Sequence, residues 1–309
     1  MAGMVPEARS EDAGLFPKLF ELIDSGSQAS VLDMLDDKFG GDPNVADEAA
    51  GTTPLIAAAR EGKVEIVQAL MDKTADLMKT DLDGDSPLMV AISQNHMQVV
   101  QMFLKADRGV DVDASNKIGQ TPLMKAANKA NVECVKVLLE SRGNPNAKTK
   151  FGKTALMLAA EKSSLDSAAA LLDAGADIAM ADDRGFTALF PAAFRCDVPM
   201  LGMLLTSKAD ATKKAQPGTA LMMAVESPSF KPESVKLLLE HGCPLDEVSM
   251  EGDTALMKSV EENNADAIAA LLAAKADATK SNKEGKTALD LARERGLKGI
   301  EELLAAASP

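Results

Sequence analysis

The side chains best suited to chemistry in this sequence are few and scattered. There are two histidines, His96 and His241, and three cysteines, Cys134, Cys196 and Cys243. A zinc site needs three or four such ligands at close, characteristic spacings, and here each stands far from the next. An odd set of distant cysteines does not make a disulfide framework; it suits a reducing compartment. Cys134 falls on an apolar helical stripe and Cys243 follows a helix-ending glycine, so both read as small core residues. Cys196 falls in a turn between helices, where exposure is expected. Carboxylates are abundant, but Asp76, Asp111, Asp177, Asp210 and Asp277 recur at a regular interval, which marks turn construction rather than an acid–base pair. No phosphate loop, dinucleotide fingerprint or nucleophile elbow is present. No catalytic residue, cofactor or metal is expected, and the reading is not an enzyme.

The interval itself is the strongest signal. Glycines at positions 51, 84, 119, 152, 185, 218, 252 and 285 each open a similar stretch, with steps of 33, 35, 33, 33, 33, 34 and 33 residues. The copy from Gly119 to Phe151 is the clearest. Gly119 permits a positive φ at a tight turn. Thr121-Pro122 then opens a helix, the hydroxyl capping free N–H groups and the proline sitting where no donor is needed. Leu123, Ala126 and Ala127 form one apolar face, and Val132, Val135, Leu138 and Leu139 a second. Gly143 is the expected left-handed end of that second helix. Neither helix buries its face alone, but stacked copies do.

These residues resemble a known family. GQTPLMKAA, GTTPLIAAA, GDSPLMVAI and GKTALMLAA are similar to the ankyrin-repeat signature G-x-T-P-L-H-x-A-A. VEIVQALM and VECVKVLLESRGNPNA look like its second helix and following turn. The resemblance covers Leu15 to Ala307. It implies an all-α solenoid of stacked helix–turn–helix units with protruding loop or β-hairpin tips, and it carries no shared chemistry. The usual histidine after T-P-L is replaced by Ile56, Met89, Met124, Met157, Phe190, Met222, Met257 and Asp290, a row best read as core filler. His96 occupies the family's histidine position before a second helix and reads as structural.

Domain limits follow from the copies. Residues 1–14 read as a flexible acidic tail, and 15–309 as one repeat domain. Residues 15–50 form an irregular N-terminal capping repeat, seven repeats begin at 51, 84, 119, 152, 185, 218 and 252, and 285–309 form a C-terminal cap. The tract from Gly185 to Glu251 is irregular. It holds six of the fourteen prolines, including Pro191 inside an expected helix, and a lengthened turn from Glu226 to Glu233. Both drift in a tolerant loop and a locally altered partner site remain open there.

Composition narrows the partner. The formal net charge is −14, and the first 50 residues hold eleven acidic side chains against three basic ones. That sign opposes phosphate-backbone binding and suits a basic partner. Aromatic residues are 3% of the chain, with no Trp or Tyr, which disfavours base stacking. No apolar run approaches the roughly 18 residues that span a bilayer, and no targeting segment is visible. The expectation is a monomer in the cytoplasm or nucleus that binds a protein of unknown identity, without nucleic acid or membrane insertion.

By the resemblance, loop tips and exposed first-helix ends share a groove. The residues carried over as partner-binding are Leu82, Ile118, Lys150, Phe151, Arg184 and Phe186 at the tips, and Lys129, Lys162, Phe194, Arg195, Glu261 and Glu262 at the helix ends. Phe186, Phe190 and Phe194, spaced i, i+4, i+8, are expected along one helix edge, with the apolar centre near repeats three to five. Two other readings stay open: a structural subunit of a cytoskeletal or organellar assembly, and a regulator that occludes an enzyme.

Overall fold

The computed structural model describes residues 14–106, 109–216 and 218–307. The tail up to residue 13, the centre of the insertion after Lys105 and Pro217 lie outside them. The chain divides into two compact units, one reaching Asn144 and one starting at Pro145.

In the first unit the helices come in pairs: α1 (Leu15–Ser25) with α2 (Gln28–Phe39), α3 (Pro54–Arg60) with α4 (Val64–Asp72), α5 (Pro87–Ser93) with α6 (Met97–Lys105), and α7 (Pro122–Asn128) with α8 (Val132–Glu140). In the second they are α9 (Ala155–Glu161) with α10 (Leu165–Asp173), α11 (Leu189–Phe194) with α12 (Val198–Thr206), α13 (Ala220–Val225) with α14 (Pro232–Glu240), α15 (Ala255–Glu261) with α16 (Ala265–Ala273), and α17 (Ala288–Glu294) with α18 (Lys298–Ala307). Within each unit first helices pack on first helices and second on second, giving two layers around one core.

The local chemistry explains each copy. The hydroxyls of Thr53, Ser86, Thr121, Thr154, Thr219, Thr254 and Thr287 each accept the N–H three residues on. Each such cap contributes about 1 kcal/mol. The exception is the Gly185 copy. Pro191 has no N–H to give the Thr187 carbonyl, so Phe190 N–H takes that carbonyl at 3.1 Å and the helix starts one residue late, at Leu189. The proline sits in the first turn, where the missing donor costs little.

The row after T-P-L is core. Ile56, Met89, Met124, Met157, Phe190, Met222 and Met257 are all buried, while Asp290 forms a capping box with Thr287. Gly143 is not the left-handed residue. Arg142 is, at φ 65°, because Gly143 N–H bonds Leu138 O and Arg142 N–H bonds Leu139 O, and these two bonds bracket position 142. Cys196 is not exposed. It holds φ 46° in its turn, is fully buried, and its Sγ lies 3.4 Å from Ala224 O on the next first helix.

Between pairs the chain makes a protruding tip. In six of the eight copies its builder is a polar residue three before the glycine: the side chains of Asp81, Asn116, Thr149, Asp182, Ser249 and Asn282 each accept two N–H groups across the turn. Successive tips are joined by one backbone bond, as from Lys117 N to Asp83 O at 3.0 Å in the first unit and Asp183 N to Phe151 O at 3.2 Å in the second. The recurrent Asp76, Asp111, Asp177, Asp210 and Asp277 each accept the N–H two residues on, which assigns them to the turns.

Candidate functional site

The partner-binding candidates divide between the two units. Leu82, Ile118 and Lys129 belong to the first; all three are exposed, Leu82 and Ile118 at tips and Lys129 as the C-cap of α7. The other nine belong to the second. Lys150 and Phe151 share a tip, and the Phe151 ring is 62% exposed. Lys162 and Arg195 are the exposed C-caps of α9 and α11, and Arg195 Nε donates to Ser163 Oγ at 2.9 Å. Glu261 ends α15 and Glu262 caps it.

Three candidates are brought together. Arg184, Phe186 and Phe194 line a cleft of about 380 Å³, with Met157, Glu161, Asp182, Thr187, Phe190, Pro191 and Met223 completing it. The Phe186 and Phe190 rings stack at 4.9 Å with 16° between their planes. The Arg184 guanidinium also lies over the Phe186 ring, 4.5 Å from its centroid. The three phenylalanines do not share one helix edge. Phe186 precedes α11, Phe190 enters the core, and Phe194 stands 46% exposed at the helix end.

The cause is a substitution visible by aligning copies. One and nine residues after the glycine, the adjoining Gly152 copy and the Gly285 copy place an ion pair: Lys153 Nζ to Glu161 Oε1 at 2.5 Å, and Lys286 Nζ to Glu294 Oε2 at 2.8 Å. At the same two positions the Gly185 copy has Phe186 and Phe194. Apolar rings therefore replace a polar clasp on this face. The same positional comparison, legible in the sequence, sets the Gly185 copy apart from the others. The sequence names Arg184, Phe186 and Phe194 but gives no sign of Met223 on the cleft wall or of Met250, a tip side chain 58% exposed.

Next to the cleft the charge pattern changes. The C-caps of successive first helices in this unit are Lys162, Arg195, Glu226, Glu262 and Arg295. Cations suit a helix C-terminus and carboxylates oppose it. Lys258 is held by Glu261 at 2.9 Å and Asp253 at 3.3 Å, and among the described residues neither Glu226 nor Glu262 has an ion pair. The Glu226 carboxyl is raised above the usual carboxylate range, mainly by burial; Lys258 works against the shift, and Glu262 and Glu261 add to it. The lengthened turn after Glu226 forms one wall of a second, polar cleft lined also by Glu262 and Asp266.

The residues that opened the sequence reading are occupied elsewhere. His96 Nε2 lies 2.9 Å from Arg60 O, and His241 Nδ1 lies 2.9 Å from Leu237 O. All three cysteines are buried. Among the described residues no helix is long and apolar enough to cross a membrane.

Comparison with known proteins agrees with this architecture. The family profile described as ankyrin repeats (3 copies) matches residues 19–116, 104–182, 123–215 and 221–309. Ankyrin repeat domain-containing protein 63 of Mus musculus is 34% identical over 101 residues, 32% of this chain and 26% of that one. Tyrosine-protein kinase HTK16 of Hydra vulgaris is 28% identical over 126 residues, 41% of this chain and 17% of that protein. Ankyrin repeat protein nuc-2 of Neurospora crassa is 34% identical over 94 residues, 30% of this chain and 9% of that protein. The matches thus span about a quarter or less of these relatives' own length.

Proposed function

This chain belongs to the ankyrin-repeat family, and from that premise we propose that it is a non-enzymatic interaction module whose partner site is the cleft between α9, α11 and α13. Ankyrin repeats are typically protein–protein interaction modules. The observation that carries the reading is the replacement of a Lys–Glu clasp by Phe186 and Phe194, one of them exposed beside Arg184 and Arg195. Stacking of the copies does not require it, since the Gly152 and Gly285 copies stack with the ion pair and the Gly218 copy stacks with Thr219 and Ser227 one and nine residues after its glycine. Aromatic residues beside arginine, set in an apolar recess, are the usual anchors of a protein interface. The non-enzymatic part is supported by the histidines, both tied to backbone carbonyls, and by the burial of every thiol. The free cysteines and acidic surface fit a reducing, intracellular setting and a partner other than nucleic acid.

The test is proximity labelling in the native cell with the wild type and a Phe186→Ala/Phe194→Ala variant. Loss of one protein from the labelled set, with helical circular dichroism retained, is the expected result. An unchanged set would remove the cleft from the partner site.

A further inference from the structure

Two features of the second unit have no role in stacking its copies, and they are adjacent. One is the open mouth of the apolar cleft, where Arg184 and Phe194 stand exposed. The other is the pair of C-cap carboxylates, Glu226 and Glu262, on the next two first helices. Met223 joins them: it lines the cleft and lies three residues before Glu226 on the same helix, so the two side chains project from one side of α13.

We propose that the cleft takes a short protein segment that inserts one large apolar side chain against Phe186 and Phe194 and sets a lysine or arginine against Glu226 and Glu262. The inference rests on the cleft being the partner site and adds the chemistry of what enters it. The apolar anchor follows from the lining, which is carbon-rich from Met157 through Phe190 to Met223. The basic residue follows from charge complementarity. Among the described residues the cations beside these carboxylates are held elsewhere: Lys258 is shared by Asp253 and Glu261, and Arg295 donates to the Glu261 carbonyl at 2.6 Å. Glu226 is half-buried at the carbonyl end of a helix, where an incoming cation relieves both desolvation and repulsion from Glu262. The order along the segment is also set. Lys162 caps α9 and Arg195 caps α11, and the carboxylates of that part of the cleft, Glu161 and Asp182, are already paired with Lys153 and Arg184, so a basic residue there would meet cations. The cation must leave the anchor toward α13 and α15.

The test is panning the full chain against a phage-displayed library of random peptides about twelve residues long, the length of an extended or helical recognition segment. Enriched peptides are expected to combine Phe, Leu, Met or Trp with Lys or Arg at a fixed spacing. A synthetic peptide from that set should bind Phe194→Ser at least about tenfold more weakly. It should bind Glu226→Gln/Glu262→Gln about tenfold more weakly and lose its salt dependence. Both variants alter exposed or half-buried positions, and unchanged circular dichroism confirms their folding. If peptides depend on Phe194 but carry no basic residue, or ignore the glutamine variant, this inference fails while the cleft stands as the partner site. If the selected peptides ignore Phe194, or none is selected, the inference fails. The cell-labelling result then decides separately whether the cleft binds a folded partner.

Discussion

The imidazole of His96 lies against Gly62, so close that a methyl group on the Gly62 α-carbon would stand 2.5 Å from Nδ1. Gly62 occupies the left-handed position of the turn between α3 and α4, at φ 67°, and the same position in later copies is held by Asn95, Ala130, Ser163 and Cys196. A side chain is therefore tolerated there by the backbone. At Gly62 the neighbouring ring, tied through Nε2 to Arg60 O, takes the space.

Gly62→Ala should destabilise the protein by about 2 kcal/mol, combining the left-handed backbone with displacement of the ring. In a His96→Ala background the same change should cost about 1 kcal/mol, the backbone part alone. A double-mutant cycle by urea denaturation measures the difference. Additive effects would show that the ring does not set the glycine.

The tip glycines make a second contrast. A methyl group at Gly252 would meet Lys283 N at 2.8 Å on the following tip, whereas Gly285, at nearly the same φ, has nothing within 4 Å. Gly285→Ala should cost about 1 kcal/mol, and Gly252→Ala measurably more, because it also parts the bond from Lys283 N to Glu251 O. Equal thermal shifts in the two variants would count against the tip-to-tip bond as the reason.

Phe190 and Phe194 are four residues apart and should behave oppositely. Phe190→Ala opens a cavity beneath α11 and should cost about 3–5 kcal/mol. Phe194→Ala should leave stability within about 0.5 kcal/mol. A large loss at Phe194 would mean its ring supports the fold and is not held for a partner.

Glu226 gives the pH dependence. Burial first, then Glu262 and Glu261 against the pull of Lys258, hold its carboxyl above the unfolded value. Between those two values the folded state binds the extra proton, so this group costs stability as pH rises through that window, and the cost persists at neutral pH. Glu226→Gln should therefore raise the melting temperature at pH 7, by an amount worth up to about 0.5 kcal/mol. The gain should disappear once the wild-type carboxyl is protonated in both states. Melting curves across acid to neutral pH would show it; a gain that grows on acidification would contradict the sign.

The thiols should be silent. Burial, with Glu133 adding to it, pushes Cys134 up to about 12, and burial lifts Cys243 to about 11 against hydrogen bonds from the Leu221 backbone and Thr219. Cys196 is enclosed against Ala224. At pH 8 none of the three should react with Ellman's reagent in native protein, and all should react in guanidinium. One promptly reactive native thiol would restore the exposed placement first expected for Cys196.

What the sequence determined by itself is the set of interactions that close within a few residues. The Thr caps three residues back, the Asp turns two residues on, the glycine period and the apolar stripes are all of this kind, and together they specify eight similar copies and their family. Tertiary structure decided whatever depends on the copy next door, some thirty residues away. It buried Cys196 under Ala224 and set the His96 ring on Gly62. It sent Phe190 inward while leaving Phe194 out, and left Glu226 without the cation that Asp253 and Glu261 hold. A side chain's solvent and charge environment is set by what packs on it. In a stack of near-identical units, only the stacked neighbour tells a core phenylalanine from an exposed one.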